Sequence, residues 1–130
     1  MRTVDRSIAG VIPLCRDAVG LWGCAVSTIY ISGPMTGMPH LNFPAFHTAA
    51  RQLRFLGHTV VNPAELNPDP GKSWHECMRA DIVALMTCDG VALLTGWENS
   101  RGATIEQDLA ARLGMEVHSL AYWLQQGAAS

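Results

Sequence analysis

Short apolar runs alternate with segments of helical periodicity from about residue 27 onward. Runs rich in β-branched and aromatic residues, bounded by glycine or polar residues, predict strands. Apolar residues spaced three and four apart between these runs predict amphipathic helices. The predicted strands are residues 28–32, 58–62, 90–94 and 116–119.

The ends of the predicted helices carry recognisable signals. Asn42 is expected to cap a first helix that has a proline in its first turn, and Ser73 with Glu76 forms a capping-box pattern for the second. A third helix is expected after Gly102. The segment 63–72, with three prolines, is expected to be a loop, and the tail 120–126 to add a final helical turn or two. The three helices are expected to end at Gly57, near Thr87 and at Gly114.

Strands that alternate with helices predict an α/β fold with parallel pairing and right-handed crossovers. We expect a small doubly wound three-layer sandwich, Rossmann- or flavodoxin-like, with strand order 2-1-3-4. The domain is expected to span residues 27–130, preceded by a poorly defined N-terminal extension, residues 1–26. In this topology the loops after the first and third strands meet at the carboxyl ends of the strands, where ligands bind.

The apolar stretch within the extension does not predict a membrane span, because Pro13, Arg16 and Asp17 interrupt it. The same charges make it a poor signal peptide. We interpret residues 1–26 as a loosely attached extension or an over-long start of the reading frame, with an extra helix or an oligomer contact as alternatives. No membrane partner is expected.

Composition narrows the possible functions. The 130 residues suggest one domain, and 48% apolar content is enough for a core. A net charge of −2 without a basic run argues against a long nucleic acid as partner but leaves small nucleotides open. The four cysteines show no metal-like spacing, so no metal site is expected. They also form no paired C-x-x-C motif, and we predict a reducing, cytoplasmic compartment. Two of them, Cys77 and Cys88, are expected to be buried apolar groups.

The loops after the first and third strands carry the candidate binding groups. The glycines of residues 33–37 let backbone amides approach an anion, although the segment lacks P-loop spacing and a plain tight turn is the alternative. In the other loop, the Ser100 hydroxyl, the Arg101 guanidinium and the free helix-end amides suit a phosphate. Trp97 could stack on a base. The alternatives are a partly buried loop aromatic for Trp97 and a solvated charge for Arg101.

Two carboxylates are candidates for chemistry. Glu106 is expected in the first turn of the helix that follows the third strand, where the amino end of the helix favours its ionised form and a nucleophilic role. Asp81 lies two turns into the preceding helix, among apolar residues. A functional role competes there with simple exposure to solvent or pairing with Arg79.

Four segments, residues 29–34, 79–82, 88–91 and 100–106, together resemble the nucleoside 2-deoxyribosyltransferase superfamily. The resemblance covers residues 27–119. Within the superfamily, residues 32–37 and 96–103 look like the hallmarks of a small branch seen in bacteria and their phages. Thr104 departs from the pattern, because it stands where the superfamily segment has a second glycine.

The superfamily cleaves or exchanges the N-glycosidic bond of nucleosides or nucleotides. The resemblance implies that Glu106 is the nucleophile and that Asp81 is its acidic partner. In the mechanism that we hypothesise from these roles, Tyr30 orients Glu106 through its hydroxyl. Members that hydrolyse nucleoside 5'-phosphates carry Ser six residues before the catalytic Glu, as Ser100 does here, whereas transferases of free nucleosides tend to carry Asp. Ser100 therefore favours a 5'-monophosphate as substrate.

The resulting hypothesis is an N-glycosidase that cleaves the base–sugar bond of a (deoxy)nucleoside 5'-monophosphate without a cofactor. The resemblance also implies a homodimer or larger homo-oligomer. The alternatives are a base-exchanging deoxyribosyltransferase, a nucleotide-binding protein without catalysis, and a purely interacting protein. The predicted substrate-binding residues are Ser32, Gly33, Pro34, Met35, Thr36, Gly37, Trp97, Asn99, Ser100, Arg101 and Gly102.

Overall fold

The structure, a computed structural model, describes residues 27–69 and 71–129. The predicted extension, residues 1–26, lies outside the described residues, as do Cys15 and Cys24. No helix in the described part of the chain is long and apolar enough to cross a bilayer. The strands are β1 (Thr28–Ser32), β2 (Thr59–Val61), β3 (Gly90–Leu93) and β4 (Glu116–Ser119); the helices are α1 (Phe43–Phe55), α2 (Pro63–Leu66), α3 (Trp74–Leu85), α4 (Arg101–Arg112) and α5 (Leu120–Ala129).

The four strands form one parallel sheet in the order β2-β1-β3-β4, as predicted. Strand β1 lies in the interior of this sheet, where Tyr30 pairs with Val61 on one side and Val91 on the other. Its last residue, Ser32, pairs with Leu93. Since β1 and β3 are neighbours, the loops that follow them emerge side by side.

Side chains on the two faces of the sheet bury two separate cores, because alternate strand residues point to opposite faces. Ile29 and Ile31 pack with α1 residues and with Trp123 of α5. Tyr30 and Val91 pack on the other face with residues of α3 and α4, including Leu85 and Ala110. The predicted three-layer sandwich is confirmed.

The predicted loop 63–72 contains a short helix, α2, so that part of the prediction was wrong. Asn62 caps α2, since its side chain accepts a hydrogen bond from the Ala64 N–H at 3.0 Å. Arg54 of α1 then holds Glu65 through two hydrogen bonds of 2.9 and 2.8 Å. These contacts fix the start of the 63–72 segment over the carboxyl end of β2. The segment that follows α2 runs beside α3.

Other helix boundaries are close to those predicted. The capping box of α3 is present, with both hydrogen bonds between Ser73 and Glu76. Asn42 does precede α1, but it does not cap the helix through its side chain. Its amide donates to the Pro34 carbonyl at 2.9 Å instead. Helix α4 begins at Arg101, one residue before Gly102.

Candidate active site

A cavity of about 260 Å³ opens at the carboxyl ends of β1, β2 and β3. This is the position at which an open parallel sheet with this strand order binds ligands. The loops after β1 and β3 both contribute to the cavity, as the topology predicted. The lining residues are Ile31, Gly33, Met35, Thr36, Leu41, Phe46, Pro63, Lys72, Trp74, Cys77, Met78, Asp81, Ser100, Gly102, Ala103 and Glu106.

Glu106 lies at the inner end of this cavity and is held by two hydroxyl groups. The Tyr30 hydroxyl donates to Oε2 at 2.6 Å, and the Ser32 hydroxyl donates to Oε1 at 2.7 Å. Both donors come from β1 and are two residues apart, so they project from the same face of the strand. Glu106 as a whole is 5% exposed, and it lines the cavity. Its two oxygens are therefore fixed in orientation by the sheet.

The protonation of Glu106 differs from the expectation. Burial raises its pKa to about 7, against the two hydroxyl donors, which lower it, and the nearby Asp81 charge adds to the rise. Because α4 begins at Arg101, Glu106 lies in the second helical turn and no acidic residue lies in the first. The helix dipole acts mainly within the first turn. The expected helix-end stabilisation of the carboxylate was wrong, and desolvation dominates.

Asp81 lines the same cavity from α3. It is 7% exposed, so the alternative that it faces solvent was wrong. Its Oδ1 accepts a hydrogen bond from the Asn67 amide at 2.7 Å, and this contact replaces the pairing with Arg79 considered above. Burial raises the pKa of Asp81 to about 6, while the Asn67 hydrogen bond and the charge of Lys72 oppose the rise.

The reasoning from the sequence missed Asn67 and Lys72. Lys72 lines the cavity, and its ammonium donates to the Asn67 Oδ1 at 2.9 Å. Both residues lie in the segment predicted to be a plain loop. The Asn62–Pro63 pair is a helix-start signal and could have revealed α2. No local signal indicates that Asn67 meets Asp81, since that contact depends on packing against α3.

The loop after β1 forms one wall of the cavity through Gly33, Met35 and Thr36. A Cβ atom at Gly33 would lie 2.7 Å from the Leu94 Cβ, so packing between the ends of β1 and β3 requires glycine there. Pro34 and Gly37 lie outside the lining residues. Gly37, with φ +82°, lies within a backbone turn that is closed by a hydrogen bond of 3.0 Å from the Met38 N–H to the Met35 carbonyl. The segment is thus a tight turn that also borders the cavity.

The loop after β3 contributes the amino end of α4 to the cavity. Ser100 is the N-cap residue, and its Oγ accepts from the Ala103 N–H at 3.2 Å. Ser100, Gly102 and Ala103 line the cavity, so the positive end of the helix dipole faces it. Thr104 lies outside the lining residues, and its hydroxyl donates to the carbonyls of Ser100 and Arg101 at 2.9 Å each. Its hydroxyl is therefore directed to the helix backbone.

Three predicted binding residues of this loop are not cavity-lining. Trp97 is partly buried against the core cluster around Tyr30, which matches the alternative interpretation of a loop aromatic. Asn99 is exposed. The Arg101 guanidinium lies 4.0 Å from the centre of the Trp74 ring, and Trp74 itself borders the cavity. Arg101 therefore lies beside the cavity, behind an aromatic side chain that sequence reasoning did not select.

The cysteines behave differently from each other. Cys88 is buried, as predicted, whereas Cys77 is only partly buried and lines the cavity. Burial raises the pKa of both thiols. Within residues 27–69 and 71–129 there is no group of three or more His, Cys, Asp or Glu side chains that could hold a metal ion.

Comparison with known proteins gives one family. No curated protein matches the chain. Residues 27–119, well over half of the chain, match the family described as "Domain of unknown function (DUF4406)". The match runs from one residue before β1 to the end of β4. It therefore includes the whole sheet and both cavity carboxylates, and the chain belongs to the DUF4406 family.

Proposed function

We propose that the protein is an N-glycosidase that cleaves the base–sugar bond of a (deoxy)nucleoside 5'-monophosphate, with Glu106 as nucleophile. The observation that carries the proposal is the buried Glu106, which is held by Tyr30 and Ser32 and shares a cavity with Asp81. Paired carboxyl groups across a cavity are the arrangement used in glycoside hydrolysis. The resemblance to nucleoside 2-deoxyribosyltransferases assigns the same residues to these roles.

In the first step, a Glu106 oxygen attacks C1' of the sugar while the bond from C1' to the base nitrogen breaks. The base leaves with the electron pair of that bond and takes a proton from Asp81. In the second step, water adds to C1', Asp81 accepts a proton from that water, and the Glu106 carboxylate is released. The products are the free base and the sugar 5'-phosphate.

Both carboxyl groups titrate near neutrality, and the first step draws on the less populated arrangement, in which Glu106 is ionised and Asp81 is protonated, because the pKa of Asp81 is the lower of the two. A pKa of about 7 leaves a large fraction of Glu106 ionised at neutral pH, and ionisation rises as the pH increases. Asp81, with a pKa of about 6, can both donate and accept a proton near neutrality. Its Oδ1 accepts from Asn67, so a proton on Oδ2 does not break that hydrogen bond.

The phosphate would bind at the amino end of α4. Ser100 and Gly102 line the cavity there, and helix amino ends bind anions through their free N–H groups and the helix dipole. An Asp at position 100 would repel this phosphate, whereas the Ser hydroxyl can donate to it. The cavity volume of about 260 Å³ lies just below the range of about 300–1,000 Å³ that is typical of small-molecule sites. It therefore favours one nucleotide over a longer chain.

The proposal is tested by incubating the protein with each common and modified (deoxy)nucleoside 5'-monophosphate and separating the products by HPLC. Free base and sugar phosphate are expected for at least one substrate. Glu106→Gln should abolish the activity, and Glu98→Gln, which makes the same change at an exposed position, should leave it unaltered. Absence of free base for every substrate would remove the hydrolase proposal.

The raised pKa of Glu106 also favours a second candidate, a nucleotide-binding protein without catalysis. A protonated Glu106 can donate a hydrogen bond to a ligand, which a permanently ionised carboxylate cannot do. Calorimetry separates the two, because tight binding of an unchanged ligand supports the binding protein. Addition of a free base to the HPLC assay tests the third candidate, base exchange, through the appearance of a new nucleotide.

A further inference from the structure

Lys72 is the only lysine in the sequence, and it borders the cavity that contains both carboxyl groups. Its ammonium donates to the oxygen of the Asn67 amide at 2.9 Å, and the nitrogen of the same amide donates to the Asp81 Oδ1 at 2.7 Å. Ammonium can only donate and an ionised carboxylate can only accept. The two contacts therefore fix which end of the Asn67 amide faces Asp81.

We propose that Lys72 and Asn67 are positioning residues that form a relay to Asp81. The ammonium orients the amide, and the amide holds one carboxylate oxygen of Asp81 in place. This inference rests on the proposed function in one respect, namely that Asp81 takes part in the reaction. The relay itself is a property of the free protein and needs no substrate.

The surroundings of Asp81 show why a cation matters there. Burial raises the pKa values of Glu106 on α4, Tyr30 on β1 and Cys77 on α3, and the charge of Asp81 raises each of them further. Lys72 is the cation that opposes this accumulation of negative charge. Loss of its charge should therefore favour the protonated form of Asp81.

The Lys72 charge acts on Asp81 through space, and its hydrogen bond acts through Asn67, because Lys72 bonds to the amide oxygen. The relay predicts that removal of either Lys72 or Asn67 raises the pKa of Asp81, since both residues lower it. Residues that belong to one hydrogen-bond network are also non-additive. In the variant that lacks both Lys72 and Asn67, the pKa of Asp81 should therefore rise by less than the sum of the rises in the two single variants.

The test is a carbon-13 NMR titration of the aspartate carboxyl carbons in the full chain without ligand, with the Asp81 signal assigned from its absence in Asp81→Asn. In Lys72→Met the Asp81 midpoint should move upward by about half a unit or more, less than the 1–3 units expected for a directly paired cation. Asn67→Leu should shift it in the same direction, and Lys72→Arg should retain most of the wild-type value. Arg51→Met, which removes an exposed charge on α1, should leave the midpoint unchanged.

Chemical modification gives a version of the test that does not depend on folding of a variant. Acetylation of the folded protein removes the Lys72 charge, and the chain has no other lysine side chain to react. The Asp81 midpoint should again rise. Unchanged midpoints after acetylation and in both single variants would overturn the relay.

An activity measurement separates the relay from simple binding of phosphate by Lys72. If the protein cleaves nucleotides, Lys72→Met should displace the pH profile of kcat and change KM little. A change in KM alone, with the Asp81 titration unaltered, would assign Lys72 to phosphate binding and contradict the relay. Because the NMR titration uses no nucleotide, an inactive protein can still confirm the relay and an active one can still lack it.

Discussion

At the level of single residues, two opposing effects act on the ionised form of Glu106: burial disfavours it and hydrogen bonds stabilise it. Desolvation of the carboxylate raises its pKa, whereas hydrogen bonds from Tyr30 and Ser32 stabilise the ionised form. The burial effect is larger, so the resting site holds a mixture of protonated and ionised Glu106 near neutrality. Burial also raises the pKa of Tyr30, so its hydroxyl keeps the proton that it donates.

The stability of the protein should record this buried acid. The pKa of Glu106 is about 7 in the folded state and 4.5 without the fold, so the folded state binds the proton more tightly. The free energy of unfolding should therefore fall as pH rises from about 4.5 to about 7, by up to about 3 kcal/mol. Glu106→Gln removes this contribution. The free energy of unfolding of the variant, measured with urea, should therefore rise relative to that of wild type by about 1–3 kcal/mol between about pH 5 and pH 8.

Asp81 titrates in an overlapping range but is present in both proteins, so the difference between them reports Glu106 together with its coupling to Asp81. Glu98→Gln is the matched exposed control and should follow wild type at every pH. A constant difference between Glu106→Gln and wild type across this range would contradict the raised pKa.

Tyr30→Phe should move the pH dependence of catalysis. The substitution removes a hydrogen bond that lowers the pKa of Glu106, so ionisation of the nucleophile will require a higher pH. The acidic limb of the kcat profile should shift upward, and the lost hydrogen bond should cost about 1 kcal/mol of stability. Ser32→Ala should shift the limb in the same direction. If the acidic limbs of both variants coincide with that of wild type, Glu106 is not the group whose ionisation the pH profile of kcat reports.

At the level of secondary-structure elements, α4 has two roles that can be separated. Its N-cap, Ser100, satisfies the Ala103 N–H and also borders the cavity. Helix α3 has an equivalent cap in Ser73, which is exposed and lies outside the cavity lining. Of these two serine caps, only Ser100 is placed to contact a ligand.

Alanine substitution of the two caps should therefore give different results. Ser100→Ala and Ser73→Ala should each lower the free energy of unfolding by about 1 kcal/mol. Only Ser100→Ala should also weaken the binding of a deoxynucleoside 5'-monophosphate, measured by calorimetry in the non-cleaving Glu106→Gln background. Equal affinities in the two variants would place the phosphate elsewhere.

At the level of the whole molecule, α5 completes the layer that α1 begins on one face of the sheet. Trp123 of α5 is buried, and its indole N–H donates to the Val91 carbonyl at 2.8 Å. A Cβ at Gly90 would lie 2.7 Å from the Trp123 ring, so glycine at the start of β3 makes room for it. Helix α5 lies beyond the family match, which ends at residue 119, yet it packs on the shared core.

Trp123→Ala should destabilise the fold without changing the site. Loss of the buried ring should lower the free energy of unfolding by about 3–5 kcal/mol. Trp123 packs at the start of β3, whereas the cavity lies at the carboxyl ends of the strands. Nucleotide affinity in the Glu106→Gln background should thus be unchanged at temperatures where the variant is folded. A loss of affinity without unfolding would show that α5 communicates with the site.

Two predictions concern the protein beyond the single chain. The homo-oligomer implied by the resemblance stays a prediction, and sedimentation equilibrium would measure it. The cytoplasmic location likewise stays a prediction.

Much of this architecture follows from local sequence patterns. The apolar runs, the capping box at Ser73 and the glycines after the helices identify the elements, because each signal depends on residues close in the chain. Alternation of the elements then leads to the parallel sheet and to the meeting of the loops after β1 and β3. The pairing of Glu106 with Asp81 came from the resemblance, since neither spacing nor composition relates two residues on separate helices.

Contacts between distant segments set the remaining features. Asn67 meets Asp81, and Trp97 turns toward the core, because of how α2, α3 and α4 pack on the sheet. The protonation of Glu106 depends on how completely those layers exclude water, and a helix-dipole argument from the sequence gave the wrong sign. Strand and helix signals act over a few residues, whereas burial and side-chain hydrogen bonding exist only after the layers have packed together.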